Sequence, residues 1–445
     1  MADFLIAVPT MILVLGVMIV VHEFGHYAVA KMCGVRVLVF SVGFGKRLIG
    51  FTRGDTDYRV SALPFGGYVK MAGENPMEDR SGDPGEFMSH PRWQRILIAL
   101  AGPAMNILLA IAILTGVFMV HYEHSPIMDK PIVVGIVDPN SPAAISGIQV
   151  GDHIIRIQDK LNPVWRDINE ALLQAKLSPN TPITLNIQRG SQIFNAQVLP
   201  QDRTQELGYI GISPDLPTQI TRIEPDMPAY QVGLRIGDEI KSLDETPVGT
   251  ITAIQAYLQK TGSKPINVHI VRKGQAQTFT ATPVIDKKEN RYRLGFGSSF
   301  PIEVTHLPFM QAVSLSMEEN GKLSLMIVKI LQKLVSHEVS IKQMDGPIGI
   351  GKQAGQAVQQ EGWIPLLILM AGISVNLGVF NLLPIPILDG GLIVLTLFES
   401  VIRRDINQQV KERIYQTAFV FIVLFAAVVI YNDISKLGPF ARYLP

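Results

Sequence analysis

FLIAVPTMILVLGVMIVVHEFGHY, residues 4–27, runs from an apolar stretch directly into His22, Glu23 and His26. Phe4–Val21 is just long enough to begin a membrane span. On a helix, histidines at i and i+4 share one face, so both imidazoles of an HExxH pattern can reach one ion while Glu23 points near the ion's bound water. The chain holds 9 His, so the pattern alone is only suggestive; its position at the end of a membrane-length helix gives it weight. Three ionisable groups there are costly to insert unless they face a protein-lined or wet cavity. The plainer alternative makes His22 a marker of the membrane interface and His26 the start of a loop.

Working outward, three further apolar runs follow: Ile96–Val120, Ile364 to about Leu383, and Ile414–Tyr431. With 47% hydrophobic residues among 445, the chain leans towards the membrane class. The formal net charge of +1 gives no basic field for nucleic acid and no acidic excess for disorder. The single cysteine, Cys33, excludes an intramolecular disulfide framework and a cysteine-built zinc site. The first run lacks a basic flank and a small-residue cleavage site, so it is expected to be retained as a helix. Lys31, Arg47, Arg59, Lys70 and Arg95 crowd the first connection, and Arg403, Arg404, Lys411 and Arg413 the last, which makes both cytoplasmic and both termini extracytoplasmic. By span parity the long central region is then extracytoplasmic too.

That region contains a repeat. Ser141-Pro142-Ala143-Ala144 leads through Gly147 to Gly151-Asp152 and Ile154, and Met227-Pro228-Ala229-Tyr230 leads at the same spacing through Gly233 to Gly237-Asp238 and Ile240. The pattern resembles a tandem of PDZ domains, α+β modules that take an extended peptide at a sheet edge. Substrate filter and plain spacer both remain open readings.

A catalytic zinc of the HExxH type has a third protein ligand and an open position. Asp389 stands out, in an apolar setting where a central Asp costs roughly 2.5–3.5 kcal/mol and so favours pairing or metal binding. Pro384 and Pro386 just before it remove two backbone donors, so the segment is expected to unwind. The alternative is Asp389 as a helix cap after the kink. Between Tyr58 and Met71, β-formers split by Pro64 and by Gly66-Gly67-Tyr68 read as a hairpin or looped strand whose edge could add a substrate strand; an ordinary lid is the competing reading. Phe44, within Val42-Gly43-Phe44-Gly45, is a second flexible position in that loop. Leu323–Val335 reads as an amphipathic helix, interfacial or packed under the outer region, and Glu74–Pro91 as a mobile connection.

HEFGH in the first span, AGPAMN at 101–106, the paired repeats, DGPIGI at 345–350 and SVNLGVFNLLPIPILDG at 374–390 together resemble the bacterial site-2 protease family, in its RseP-type branch. The resemblance implies His22, His26 and Asp389 as ligands of Zn2+, Glu23 as general base and then acid, and peptide hydrolysis within or beside the bilayer. It further implies that Asn376 and Asn381 bind substrate backbone and that the loop with Phe44, Gly66, Gly67 and Tyr68 contacts substrate; helix-to-helix hydrogen bonding is the alternative for the two amides. The expected fold is a polytopic α-helical membrane protein of four transmembrane helices, with a membrane-associated β-hairpin and two extracytoplasmic PDZ-like domains. Expected divisions are a membrane segment 1–125, modules 126–214 and 215–300, amphipathic helices 301–362 and a second membrane segment 363–445. Expected partners are membrane lipid and single-span substrates of the anti-sigma-factor type, with leftover signal peptides as further substrates, in a bacterial inner membrane and without nucleic acid. Two other classes compete: a scaffold that captures peptides with an incidental HExxH, told apart by the absence of stoichiometric zinc, and a transporter, for which no inverted hydropathy repeat is evident.

Overall fold

The computed structural model describes residues 2–74, 82–177, 181–201, 208–216, 218–225, 227–248, 251–286, 291–336, 346–359 and 362–435. The chain divides into two units, Met1–Tyr122 with His306–Pro445, and Glu123–Thr305.

Among the described residues of the first unit, four helices are long and apolar enough to cross a membrane: Pro9–Met32, Arg92–Val120, Ile364–Asn381 and Gln408–Ser435. The first helix, Ala2–Met32, runs past its apolar stretch because nothing in HEFGHYAVAKM breaks it until Gly34, whose φ of +86° suits a left-handed stop. The fourth starts earlier than its apolar centre, where Asn407 Oδ1 accepts the Gln409 N–H at 2.8 Å and so opens the helix. Phe419, Phe421 and Leu424 on that helix are exposed, a surface suited to lipid rather than water.

The second and third spans pack through Ala110, Leu114, Ala371, Val375 and Val379, and Ile327 joins them from helix Phe309–Val335. That last helix is longer than its apolar periodicity. Its first half buries Ala312, Ser316 and Asn320 at intervals of four, and Thr115 Oγ1 donates to Ser316 Oγ at 3.1 Å. A small polar stripe holds helices together in an apolar setting but leaves no hydrophobic signature. The helix therefore packs into the core of this unit against the second and third spans.

Val37–Arg53 and Thr56–Met71 form an antiparallel hairpin closed at the Arg53 and Thr56 pair, and its outer part leaves Leu48, Ile49 and Phe51 exposed. The stretch expected to be a mobile connection is tied down where it is described. Phe87 is 1% exposed and donates its N–H to Ala72 O, while Gly85 O accepts from Arg36 N. One buried aromatic and two strand-like backbone bonds are enough to fix a short polar segment that composition alone reads as loose. Residues 75–81 of that stretch lie outside the described residues.

The second unit holds two repeated modules with separate cores, one around Ile154, Leu185 and Ile187 and the other around Ile240, Val268 and Ile270. In the first, strands 132–133, 153–157, 183–189 and 192–198 pair in that order; in the second, the order is 275–281, 266–272, 239–243, 218–223 and 296–299. The Gly-Asp turns explain the shared spacing. Gly151 and Gly237 sit at φ +89° and +91°, and each following aspartate is buried. Asp152 accepts from Gln149 N and Arg189, Asp238 from Arg235 N and Arg272, and each arginine also reaches the carbonyl of Gly147 or Gly233 at 2.8 Å.

Burial pushes the Asp152 carboxyl up, but Arg189 and the Gln149 N–H outweigh it and hold it below the ordinary carboxylate value. A lowered folded-state value stabilises above the unfolded value, and that contribution is lost as pH falls through the folded one. Asp152→Ala, which leaves the Arg189 and Gln149 donors unpaired, is therefore expected to cost the first module about 1–3 kcal/mol near neutral pH and less in strong acid. Hydrogen exchange of strand His153–Ile157 as a function of pH measures this; equal protection in both proteins at pH 7 would contradict it.

Candidate metal centre

The first helix delivers His22 and His26 on one face, as i and i+4 spacing requires. It crosses the second helix at close range because glycine sits at the contact on both sides. A Cβ on Gly25 would stand 2.4 Å from Ala101 O, and one on Gly102 would stand 2.3 Å from His26 Nε2 and 2.7 Å from His22 Nε2. His26 Nδ1–H donates to Ile98 O at 2.7 Å, which turns Nε2 inward, and His22 Nδ1 lies 3.1 Å from the Asn106 amide.

Asp389 arrives from the other end of the chain. The third span stops at Asn381, and residues 382–388, with Pro384 and Pro386, turn back before helix Asp389–Ile402 begins. Gly390 and Gly391 allow this folding back, since a Cβ on either would lie 2.2 or 2.1 Å from the carbonyl oxygens of Leu382 or Ile385. Asp389 makes no cap bond to its helix; the N-cap position is Leu388. Its carboxylate instead faces the imidazoles, with Oδ2 at 3.1 Å from His22 Nε2 and Oδ1 at 3.4 Å from His26 Nε2.

The two Nε2 atoms are 3.1 Å apart. Donors about 2.0–2.2 Å from a tetrahedral zinc stand roughly 3.3–3.6 Å from one another, so these three edges, at 3.1, 3.1 and 3.4 Å, come within a few tenths of an ångström of what a shared ion needs. Two imidazoles and one carboxylate are also a donor set that zinc takes. His22, His26 and Asp389 are the described group of this kind.

A cavity of about 330 Å³ opens beside them, lined by Glu23, Tyr68, Glu74 and Asn381 among others. The hairpin forms one wall. Val69 N–H donates to Glu23 Oε2 at 3.0 Å, so the strand backbone fixes the carboxylate. Gly66, at φ +108°, leaves room for the Phe44 ring, 2.7 Å from where its Cβ would be, and a Cβ on Gly67 would approach Ser41 O at 2.7 Å and Glu23 Cγ at 3.7 Å. Phe44 stacks on Tyr68 with centroids 5.9 Å apart and is itself outside the cavity lining.

Of the two amides singled out in the third span, Asn381 lines the cavity, with Nδ2 3.5 Å from His22 Nε2, whereas Asn376 is exposed on the helix and absent from the lining. Asp345 of the DGPIGI motif lies outside the described residues. Sequence reasoning gave no role to Gly102, Asn106 or Glu74. The signal for the first two is within AGPAMN, where Gly102 and Asn106 share a helix face at i and i+4. Glu74 accepts from Met71 N at 3.1 Å and closes the cavity beside the hairpin's end.

The model of peptidase family M50 matches residues 10–425. A Vibrio cholerae protein, provisionally described as a zinc metalloprotease, is 31% identical over 98% of this chain and 100% of its own length. The regulator of sigma-E protease RseP of Salmonella typhimurium is 30% identical over 96% of this chain and 98% of its own. Among solved structures, the PDZ domain of an SdrC-like protein from Listeria monocytogenes matches 20% of this chain and 93% of its own at 18% identity, with a TM-score of 0.18. The family match takes in both the helix that carries His22 and the helix that begins at Asp389, and the chain belongs to peptidase family M50.

Proposed function

We propose that this peptidase is a zinc-dependent endopeptidase that cleaves single-span membrane proteins within or beside the bilayer. The observation that carries the reading is the meeting of His22, His26 and Asp389, from opposite ends of the chain, next to Glu23 in a half-enclosed cavity between membrane-length helices. In this reading the three side chains hold the ion through Nε2, Nε2 and the carboxylate. Bound zinc would supply a water acidic enough to ionise near neutral pH and a positive charge beside the scissile carbonyl. Glu23, steadied by Val69 N–H, would act as the general base and then the acid, holding on its carboxylate the proton that passes from the attacking water to the leaving amine. Asn381 faces the same cavity and offers an amide to the substrate backbone.

A transmembrane substrate has its amides tied up in its own helix and must be unwound before attack. The hairpin suits that task, because its backbone already runs along the cavity beside Glu23, and a substrate strand added to its edge would lie extended there. Phe44, Gly66, Gly67 and Tyr68 shape that wall. The two repeated modules, taken as PDZ-like domains over 126–214 and 215–300, would screen or hold substrate on the extracytoplasmic side, with both termini there and the hairpin loop in the cytoplasm. The Salmonella relative is named a regulator of sigma-E protease, which is in keeping with a substrate that controls a sigma factor; an anti-sigma-factor type of substrate in a bacterial inner membrane completes the reading. A pure scaffold would leave the converged donors and the cavity without use.

The test is metal content with activity. Purified full-length protein is expected to carry one zinc and to cut a single-span substrate in detergent, to stop on chelation and to recover when zinc is restored. Absence of stoichiometric zinc, or cleavage indifferent to the chelator, would overturn the proposal.

A further inference from the structure

The two metal-facing imidazoles are steadied differently. His26 Nδ1 meets a backbone carbonyl, that of Ile98 at 2.7 Å, and a carbonyl can only accept, so the ring carries its proton on Nδ1 and leaves the Nε2 lone pair free. His22 Nδ1 meets the side-chain amide of Asn106 at 3.1 Å, and an amide has one end that accepts and one that donates. Which end faces the ring decides the tautomer.

With Nδ2 towards the ring, His22 Nε2 keeps a hydrogen that points at Asp389 Oδ2, 3.1 Å away, and the nitrogen cannot bind a metal. That arrangement also leaves Asn106 Oδ1 buried without a hydrogen-bond partner, on a residue with no solvent exposure. With Oδ1 towards the ring, that oxygen gains a donor, Nδ2 takes the buried place it held, and both imidazoles take the same tautomer. Asn106 itself is held in register, because Ser374 Oγ, from the third span, donates to its backbone carbonyl at 2.7 Å.

We propose that Asn106 is the positioning residue for the metal centre: its Oδ1 accepts from His22 Nδ1–H and thereby presents the Nε2 lone pair to the ion. The inference rests on the metal-centre reading above. Outer partners of this kind fix ring orientation and raise metal affinity by about 10–100-fold. The third span therefore steadies the first ligand through Ser374 and Asn106 while contributing no ligand of its own.

Zinc affinity of the purified full-length protein, measured by competition with a chelator, tests this without recourse to activity. Asn106→Leu is expected to weaken zinc by about 10–100-fold, and Asn106→Asp, which can only accept at neutral pH, to stay within about threefold of the unaltered protein. A merely space-filling residue would not be rescued by the acceptor-only variant. Unchanged affinity in Asn106→Leu, or equal losses in both variants, would overturn the proposal. If Asn106→Leu does not survive extraction, Asn106→Ala takes its place with the same expectation. His22→Ala separates the two levels: if it leaves zinc unchanged the metal-centre reading fails, whereas a loss there beside none in Asn106→Leu defeats the role of Asn106 alone.

Discussion

Glu23→Gln is expected to leave zinc stoichiometry intact while cleavage of a single-span substrate falls by roughly a hundred- to ten-thousand-fold, the usual contribution of a general base. Glutamine keeps the length of the side chain, and its amide oxygen can still accept the Val69 N–H that fixes Glu23 at 3.0 Å. The cavity wall should therefore stay as it is. Glu23 is also outside the three-donor group formed by His22, His26 and Asp389, so metal retention is expected from geometry. What is lost is proton transfer alone. Metal analysis and a cleavage assay on the same preparation check both halves. Retained cleavage would falsify the general-base role, and loss of zinc would mean that Glu23 belongs among the ligands.

A second substitution, Gly102→Ala, is expected to weaken zinc binding severely by adding one methyl group. The new Cβ would stand 2.3 Å from His26 Nε2, 2.6 Å from His26 Cε1 and 2.7 Å from His22 Nε2. Moving the two helices apart to make room would give up the close packing of Gly25 on the backbone of Ala101. The imidazoles must move instead, and the atoms that move are the ones that face the ion. Zinc affinity is expected to drop by more than about a hundredfold, beyond the range for an outer-partner loss, and cleavage with it. Gly116→Ala in the same helix is the control: nothing lies within 4 Å of its Cβ, and alanine favours the helix by about 1 kcal/mol. If both variants keep zinc, the close crossing of the first two helices does not constrain the centre.

The parts of this site that are legible in sequence are those whose chemistry is conspicuous where it stands. His22, Glu23 and His26 are legible because charge at the end of an apolar helix demands a reason, and Asp389 because Pro384 and Pro386 interrupt an apolar run just before it. Gly102 is silent for the opposite reason. A glycine in an apolar helix carries no chemistry, and only the imidazoles on a neighbouring helix make its missing side chain matter. Asn106 reads as one polar interruption among small residues until His22 is seen opposite. Glu74 is obscured by the polar stretch that follows it, and the first half of helix Phe309–Val335 by a buried face of Ala312, Ser316 and Asn320. Asn376 differs: five residues along a helix set it roughly 140° away from Asn381, so the two cannot face one cavity, and Asn381 is the one that lines it.

The loop that doubles back on Gly390 and Gly391 supplies the last donor from the far end of the polypeptide. A ribosome making this chain releases both histidines early and the aspartate late. Through most of synthesis the nascent protein therefore carries two of the three donors of the proposed centre, and a product cut short before Pro384 would lack the third.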